Sequence, residues 1–240
     1  MSQGCSFTYD GHNWTPVQLP ASLGINKQVS MVFDNLAMVS PEEGWMAGTL
    51  YGGSPSQVGF ILHYFNGQWT VQYRLDNAQL GSLSMLSASD GWATGSTATF
   101  TNTPANGMPT VAQTSHPLLL RYVQGKWTTA TNLLSDPSAG AGQIQILSAT
   151  DGWMTGQNIS TWLHYNGKQW LPVTFPALKT LIVVNLSVQF LSATEGWAVG
   201  TQIINAQSVQ TGHGTSYRSD DNVPLLLHFH DGAWSIFHSP

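Results

Sequence analysis

The chain has 240 residues, of which 42% are hydrophobic and only 8% are charged, against about 25% charged residues in an average soluble domain. Seven Lys and Arg against twelve Asp and Glu give a formal net charge of -5. This balance argues against a nucleic acid or an anionic membrane surface as the partner, because both attract a basic footprint. The single cysteine, Cys5, excludes an intrachain disulfide and a cysteine-based metal cluster.

No apolar stretch is long enough to span a bilayer, so no membrane span is predicted. The first residues contain no charged segment followed by an apolar one, so no signal peptide is predicted in this chain. The surface must be polar but largely neutral, since Ser, Thr, Asn, Gln and Gly replace the missing charge. This composition favours an extracytoplasmic or secreted protein.

Two sequence blocks alternate along the chain. It opens on a copy of the second block, FTYDGHNW, and four complete modules follow, each with a Gly-Trp block and then a block of the LLHYxDGxW type. The paired blocks are Leu36–Gly48 with Ile61–Trp69, Leu83–Gly95 with Leu119–Trp127, Ile144–Gly156 with Trp162–Trp170, and Val188–Gly200 with Leu226–Trp234. Nine of the ten tryptophans fall in two aligned columns, which indicates a true repeat.

Modules of roughly 45 to 65 residues have the length of a four-stranded propeller blade. The first block reads as a short inner strand, a Ser-rich turn and a second strand. The second block reads as a hairpin around Asn-Gly or Asp-Gly, which favour turns with positive φ. No 3.6-residue apolar period persists, so little or no helix is expected.

The predicted fold is an all-β propeller in one domain, with a half-blade at about 5–20 and complete blades at about 29–75, 80–131, 142–175 and 181–238. The half-blade lacks two inner strands, so the ring has five blades or the chain is part of a larger propeller. The repeat itself does not decide between these two arrangements, and it leaves the oligomeric state open.

The repeat resembles the propellers of the photosystem II stability/assembly factor family and the related bacterial-neuraminidase-type repeats. The residues that carry the likeness are GWAVG at Gly196–Gly200, then LLHF or ILHY, then DG or NG, then Trp. The turn departs from the neuraminidase Asp-box, S-x-D-x-G-x-x-W, because it lacks the leading Ser. Members include assembly chaperones, adhesion-like surface modules and domains of larger proteins. The resemblance therefore implies a bacterial protein with a propeller fold, but it does not imply one activity.

Three aligned columns of the repeat contain acidic, His/Arg and tryptophan side chains that could have a functional role. The acids Glu43, Asp90, Asp151 and Glu195 precede Gly-Trp and are interpreted as turn residues that accept backbone N–H groups. His63, His164 and His228 share a column with Arg121 and Thr8; we interpret it as packing between blades, with each polar tip finding a partner. Histidines of different blades lie too far apart to share a metal, so no metal site is predicted. The tryptophan columns are interpreted as packing between blades, and Trp162, outside both, as a surface aromatic.

Catalytic motifs of the G-x-S-x-G, H-E-x-x-H and phosphate-loop types are missing from the sequence. A sialidase would need three converging arginines, and the chain has only Arg74, Arg121 and Arg218, in unrelated places of the repeat. No catalytic residue and no cofactor is therefore predicted, and an enzyme is disfavoured.

Long connections between the second and third strands of a blade mark the face where binding is expected. They are 49–59, 96–116 and 201–223, whereas blade 3 has only 157–161. The candidate contact residues are Tyr51, His116, Trp162, His213, Tyr217, Arg218, Asp220 and Asp221. Asp220 and Asp221 form a weak pattern for a structural Ca²⁺.

The leading hypothesis is a non-enzymatic binding or scaffold propeller that recognises a protein or a glycan through this face. Two alternatives stay open: a glycan-active propeller enzyme related to sialidases or glycosidases, and a structural part of a larger surface protein.

Overall fold

The computed structural model describes residues 7–9, 11–25, 28–105, 108–156, 159–178, 181–204, 207–211, 214–218 and 221–237. Each of the four complete modules forms a four-stranded antiparallel sheet whose strands pair in chain order, as in a propeller blade. The predicted all-β propeller fold is therefore confirmed.

The blades have the following strands. Blade 1 contains β3 (Ser30–Ser40), β4 (Glu43–Tyr51), β5 (Gln57–Phe65) and β6 (Gln68–Asp76). Blade 2 contains β7 (Ala78–Ser87), β8 (Asp90–Ala105), β9 (Met108–Val123) and β10 (Lys126–Thr129). Blade 3 contains β11 (Ile144–Ser148), β12 (Asp151–Thr155), β13 (Thr161–Tyr165) and β14 (Trp170–Thr174). Blade 4 contains β15 (Ile182–Ser192), β16 (Glu195–Ile203), β19 (Asn222–His230) and β20 (Ala233–Ile236).

Two smaller sheets complete the strand inventory of the described residues. β1 (Phe7–Tyr9) pairs with β2 (Trp14–Pro16), and β17 (Gln207–Thr211) pairs with β18 (Gly214–Arg218). The helices are 3₁₀ turns at Ala21–Leu23, Thr131–Leu133, Pro137–Ala139 and Pro176–Leu178. None of the helices in the described ranges has the length and apolarity needed to cross a membrane.

Two kinds of tight turn close the blades at one end. In blade 1, the turn between the third and fourth strands has φ of 46° at Asn66 and 85° at Gly67, as the Asn-Gly pair predicts. The turn between the first and second strands is held by a serine, as at Ser87, whose Oγ accepts the backbone N–H of Ser89 at 3.2 Å. The same contact recurs from Ser40, Ser148 and Ser192. We call this end of the blades the tight-turn face.

The core lies between neighbouring blades, where the tryptophan columns meet. Trp92 of blade 2 is buried against Trp170 of blade 3, with ring centroids 5.6 Å apart. Trp153 of blade 3 contacts Phe229 of blade 4 at 5.3 Å. For these tryptophans the interpretation as packing between blades is confirmed, because an aromatic residue of the next blade lies against each ring. Trp14 departs from it, with a side chain that is 67% exposed.

Side-chain hydrogen bonds also join the inner strands of successive blades. Ser82 Oγ of blade 2 accepts the backbone N–H of Ile144 at 3.1 Å. Gln145 of blade 3 donates to the carbonyl of Phe190 and accepts its N–H, both at 2.7 Å, so one amide side chain satisfies both backbone groups. These bonds fix the blades relative to one another.

The interpretation of Trp162 as a surface aromatic is wrong. Its side chain is 1% exposed and packs against Trp234 of the next blade, with ring centroids 4.8 Å apart. Its Nε1 donates to the carbonyl of Ile159 at 2.7 Å, so the apolar ring is buried and the polar edge is satisfied.

Candidate functional site

The connections between second and third strands lie at one end of the blades, opposite the tight-turn face. In an antiparallel sheet traced in chain order, this end also receives the connections from one blade to the next. Backbone hydrogen bonds join the two kinds of connection at Asn77, which lies between blades 1 and 2. Asn77 donates its backbone N–H to the carbonyl of Gln57 at 2.9 Å, and its own carbonyl accepts the N–H of Ala98 at 2.7 Å. We call this end the hairpin face.

The long connection of blade 2 is a β-ribbon, not a loop. β7 pairs with β8 only as far as Thr97, and β10 pairs with β9 only from Leu120 onwards. Beyond the blade, Ala98–Ala105 stays paired in register with Met108–Ser115. We call these two segments the blade 2 ribbon. Its eight residue pairs extend about 25 Å, at about 3.4 Å per residue.

Blade 4 has a second ribbon on the same face. β16 and β19 remain paired to Ile203 and Asn222, and β17 then pairs with β18 from Gln207 opposite Arg218 to Thr211 opposite Gly214. The stretch predicted as a loop is thus largely strand here also. Tyr217 and Arg218 lie in β18, whereas His213 and Asp220 fall outside the described residues.

The remaining candidate residues lie on separate blades. Tyr51 ends β4 in blade 1 and is half-buried. His116 lies exposed at the base of the blade 2 ribbon, with Nε2 3.4 Å from Thr99 Oγ1. Asp221 is exposed at the base of the blade 4 ribbon, where its carbonyl accepts the N–H of Ile204 at 3.0 Å. These three residues belong to three different blades.

Phe100 adds an apolar contact point on the blade 2 ribbon that the sequence analysis did not single out. Its side chain is 42% exposed, at the level of Gln113 on the facing strand. Exposed aromatic rings on a strand are common anchors for a partner.

The tight-turn face carries one charged cluster in each blade, formed by the acid column and the His/Arg column. His63 Nε2 donates to Glu43 Oε1 at 2.9 Å, and Arg121 donates to Asp90 through both Nη atoms. The same pairing joins His164 to Asp151 at 2.8 Å and His228 to Glu195 at 2.6 Å. The prediction that these acids accept turn N–H groups is wrong, because serine hydroxyls accept them and leave the carboxylates for the histidine or arginine of the facing strand.

The His or Arg side chain of each cluster lies on the Gly-Trp tryptophan of its own blade. The His63 ring stacks on Trp45 with centroids 4.5 Å apart, and Arg121 Cζ lies 4.5 Å from the centre of Trp92. The polar tips do find partners, as expected, but the rings pack within a blade rather than between blades. The arrangement combines a charge-assisted hydrogen bond with stacking on an aromatic face.

Blade 4 differs from the other blades by a second histidine. His230 Nδ1 lies 3.0 Å from Glu195 Oε2, while His228 occupies Oε1. The hydrogen bond from His228, with that from His230, holds the pKa of the Glu195 carboxyl below its usual value. The bond to Glu195, followed by the charge of Asp231, raises the pKa of His230.

Two of the three arginines are held in structural contacts on different strands. Arg74 Nη1 donates to the carbonyl of Leu23 at 2.9 Å, and Arg121 pairs with Asp90. They do not converge on one pocket, as the glycan-active alternative requires. The side chain of Arg218 is not among those described.

The chain is a β-propeller with four complete blades. Two ribbons lie on the hairpin face, and each blade has an acid paired with a histidine or arginine on the tight-turn face. No protein-family model matches the chain, and no curated protein matches it. Among solved structures, the chain is similar to YCF48 from Cyanidioschyzon merolae, at 15% identity and a TM-score of 0.47 over 87% of this chain. It spans 59% of the length of that YCF48 chain.

A second similar structure is that of YCF48 bound to D1 peptide, at 13% identity and a TM-score of 0.28, covering 88% of this chain and 84% of that chain. Both of these similar structures are of YCF48, a photosystem II assembly factor.

Proposed function

We propose that the chain is a non-enzymatic binding propeller, and that it holds an extended segment of a partner protein along an edge of the blade 2 ribbon. The observation that carries this proposal is the length of the ribbon beyond its blade. Among the described pairings, neither β7 nor β10 follows the ribbon outward, so both of its edges present backbone N–H and C=O groups without a neighbouring strand.

A free strand edge is a template for a third strand. An extended peptide added there would form main-chain hydrogen bonds worth about 0.5–1.5 kcal/mol each. Pro104 lies opposite Pro109 near the tip, and neither has a backbone N–H to donate. The productive edges are therefore Thr99–Thr103 and Thr110–Ser115, enough for a peptide of about five residues.

The composition of this region defines the kind of partner. The segments 98–105 and 108–115 contain no Lys, Arg, Asp or Glu. Recognition would therefore rest on the backbone and on the exposed ring of Phe100, and it would depend little on salt.

A protein partner fits better than a glycan. Sugar binding usually relies on an exposed aromatic platform, and Trp162, which was the candidate for that role, is buried between blades 3 and 4. The low charge and the neutral polar surface support a location outside the cytoplasm.

The test uses peptides displayed from a random library and selected on the full chain. In one variant, residues 99–114 are replaced by Asn-Gly, which shortens the blade 2 ribbon to a tight hairpin. A matched variant shortens the blade 4 ribbon by replacing 207–218 in the same way.

We expect the selected peptides to lose binding only in the first variant. N-methylation of the alternate peptide positions whose N–H groups face the edge should abolish binding, because it removes the donors that pair with the ribbon. Peptides that bind both shortened variants as well as the full chain would contradict the proposal.

A further inference from the structure

The acid–histidine pair recurs in blades 1, 3 and 4, but only blade 4 adds a third group with metal-binding chemistry. The position two residues after the paired histidine or arginine is Phe65 in blade 1, Val123 in blade 2, Asn166 in blade 3 and His230 in blade 4. Residues two apart on a strand lie on the same side of the sheet. His230 is therefore placed beside His228, facing the same carboxylate.

We propose that Glu195, His228 and His230 form a binding site for a divalent transition-metal ion, with Zn²⁺ as the best fit. One carboxylate oxygen and two imidazole nitrogens are a ligand set that Zn²⁺ uses. In this structure, one ligand atom from each of the three residues lies within 4.8 Å of the others.

The distances between the ligand atoms are shorter than those around a coordinated ion, by less than about 1 Å. Glu195 Oε1 lies 2.6 Å from His228 Nε2, and Glu195 Oε2 lies 3.0 Å from His230 Nδ1. Ligands at about 2.0–2.2 Å from a tetrahedral ion are themselves about 3.4 Å apart. Shifts of less than about 1 Å, within the freedom of a glutamate side chain, would therefore admit the ion.

The strands hold the three side chains in place. Glu195 is directly opposite His230 in the β16–β19 register, and His228 is opposite Trp197. The His228 ring stacks on Trp197 with centroids 4.1 Å apart and an interplanar angle of 17°. Ligands on paired strands are positioned more rigidly than ligands on loops.

Asp231 supplies an outer contact for His230. Its Oδ2 lies 3.2 Å from His230 Nε2, on the far side of the ring from Glu195. A carboxylate close to one imidazole nitrogen favours binding of the metal through the other nitrogen. The metal would take the place of both hydrogens that point at Glu195: His230 would release its Nδ1 proton, and His228 would carry its hydrogen on Nδ1 instead of Nε2.

The site is open to solvent on one side. The His230 side chain is 65% exposed, against 26% for His228 and 31% for Glu195. Three protein ligands leave the fourth tetrahedral position for water or for a donor group of another molecule. The site lies on the tight-turn face, away from the ribbons, so it is separate from the proposed peptide edge.

Blade 1 offers a matched control. Glu43 is directly opposite Phe65, and the Phe65 and His63 rings are 6.1 Å apart at 28°, against 5.8 Å and 27° for His230 and His228. Phe65 is 53% exposed, so a substitution there should be tolerated. The substitution Phe65→His would reproduce the three-ligand set in blade 1.

The experiment is isothermal titration calorimetry of the purified chain with ZnCl₂. We expect one high-affinity site in the wild type and at least a tenfold loss of affinity in His230→Phe, because even outer contacts of metal sites are worth roughly 10–100-fold. Glu195→Gln should show the same loss, with folding of both variants checked by circular dichroism. Phe65→His should raise the stoichiometry from one to two. No binding in the wild type, unchanged affinity in His230→Phe, or a stoichiometry of one in Phe65→His would overturn the proposal.

Discussion

Gln72 makes three side-chain hydrogen bonds at the interface between blades 1 and 2. Its Oε1 accepts Trp45 Nε1 at 2.7 Å and Trp127 Nε1 at 3.0 Å, while its Nε2 donates to the hydroxyl of Tyr122 at 3.1 Å. Both indoles are almost fully buried, at 0% and 4% exposure. One amide therefore satisfies two buried donors and one hydroxyl across the interface.

The substitution Gln72→Leu keeps the approximate volume but removes all three hydrogen bonds. Each buried indole N–H left without an acceptor costs about 1–3 kcal/mol, so we expect the free energy of unfolding to fall by about 2–6 kcal/mol. The measurement is urea unfolding followed by tryptophan fluorescence. Gln68→Leu, at an exposed position of β6, is the control and should change stability by less than about 0.5 kcal/mol.

A second substitution tests the mechanism of this loss. In a Trp127→Phe background one of the two indole donors is already gone, so Gln72→Leu should cost about 1–3 kcal/mol less than in the wild type. Equal losses in both backgrounds, or a loss no larger than that of Gln68→Leu, would refute the role given to this amide.

Two further substitutions test the packing within blade 2. Gly95→Ala should destabilise the chain by several kcal/mol in urea unfolding, since its Cβ would overlap the backbone of β7, whereas Gly81→Ala, with open space around it, should cost about 1 kcal/mol or less; equal effects would contradict the close approach. Arg121→Gln removes a two-pronged bond to Asp90 and the stacking on Trp92, and a partly exposed pair of this kind should contribute about 1–2 kcal/mol. The loss in the free energy of unfolding caused by Arg121→Gln should be smaller at high salt than at low salt. Equal losses would contradict a contribution from the charge pair.

The blades were predictable because their signals are local. Asn66-Gly67 and the Gly-Trp pairs fix turns and strand starts within a few residues, and their repetition along the chain makes the pattern unambiguous. The burial of Trp45, Trp92 and Trp153 followed from the repetition alone, because a ring required once in each blade packs against the next blade.

The ribbons and the charged clusters were harder to predict because they depend on register. The segments around Thr99–Thr103 and Thr110–Ser115 are rich in Thr, Asn and Pro and were predicted to be loops, although Asn106-Gly107 between them is a strong hairpin pair. The acid column was paired with the wrong groups, because the sequence spacing does not show that Glu195 lies opposite His230.

The measurement that tests the proposed function most directly is hydrogen–deuterium exchange of the full chain with and without a selected peptide. We predict slower exchange of the backbone amides along one edge of the ribbon, Thr99–Thr103 or Thr110–Ser115, with unchanged exchange on the tight-turn face. Protection confined to the tight-turn face, or no protection within the ribbon at saturating peptide, would contradict it.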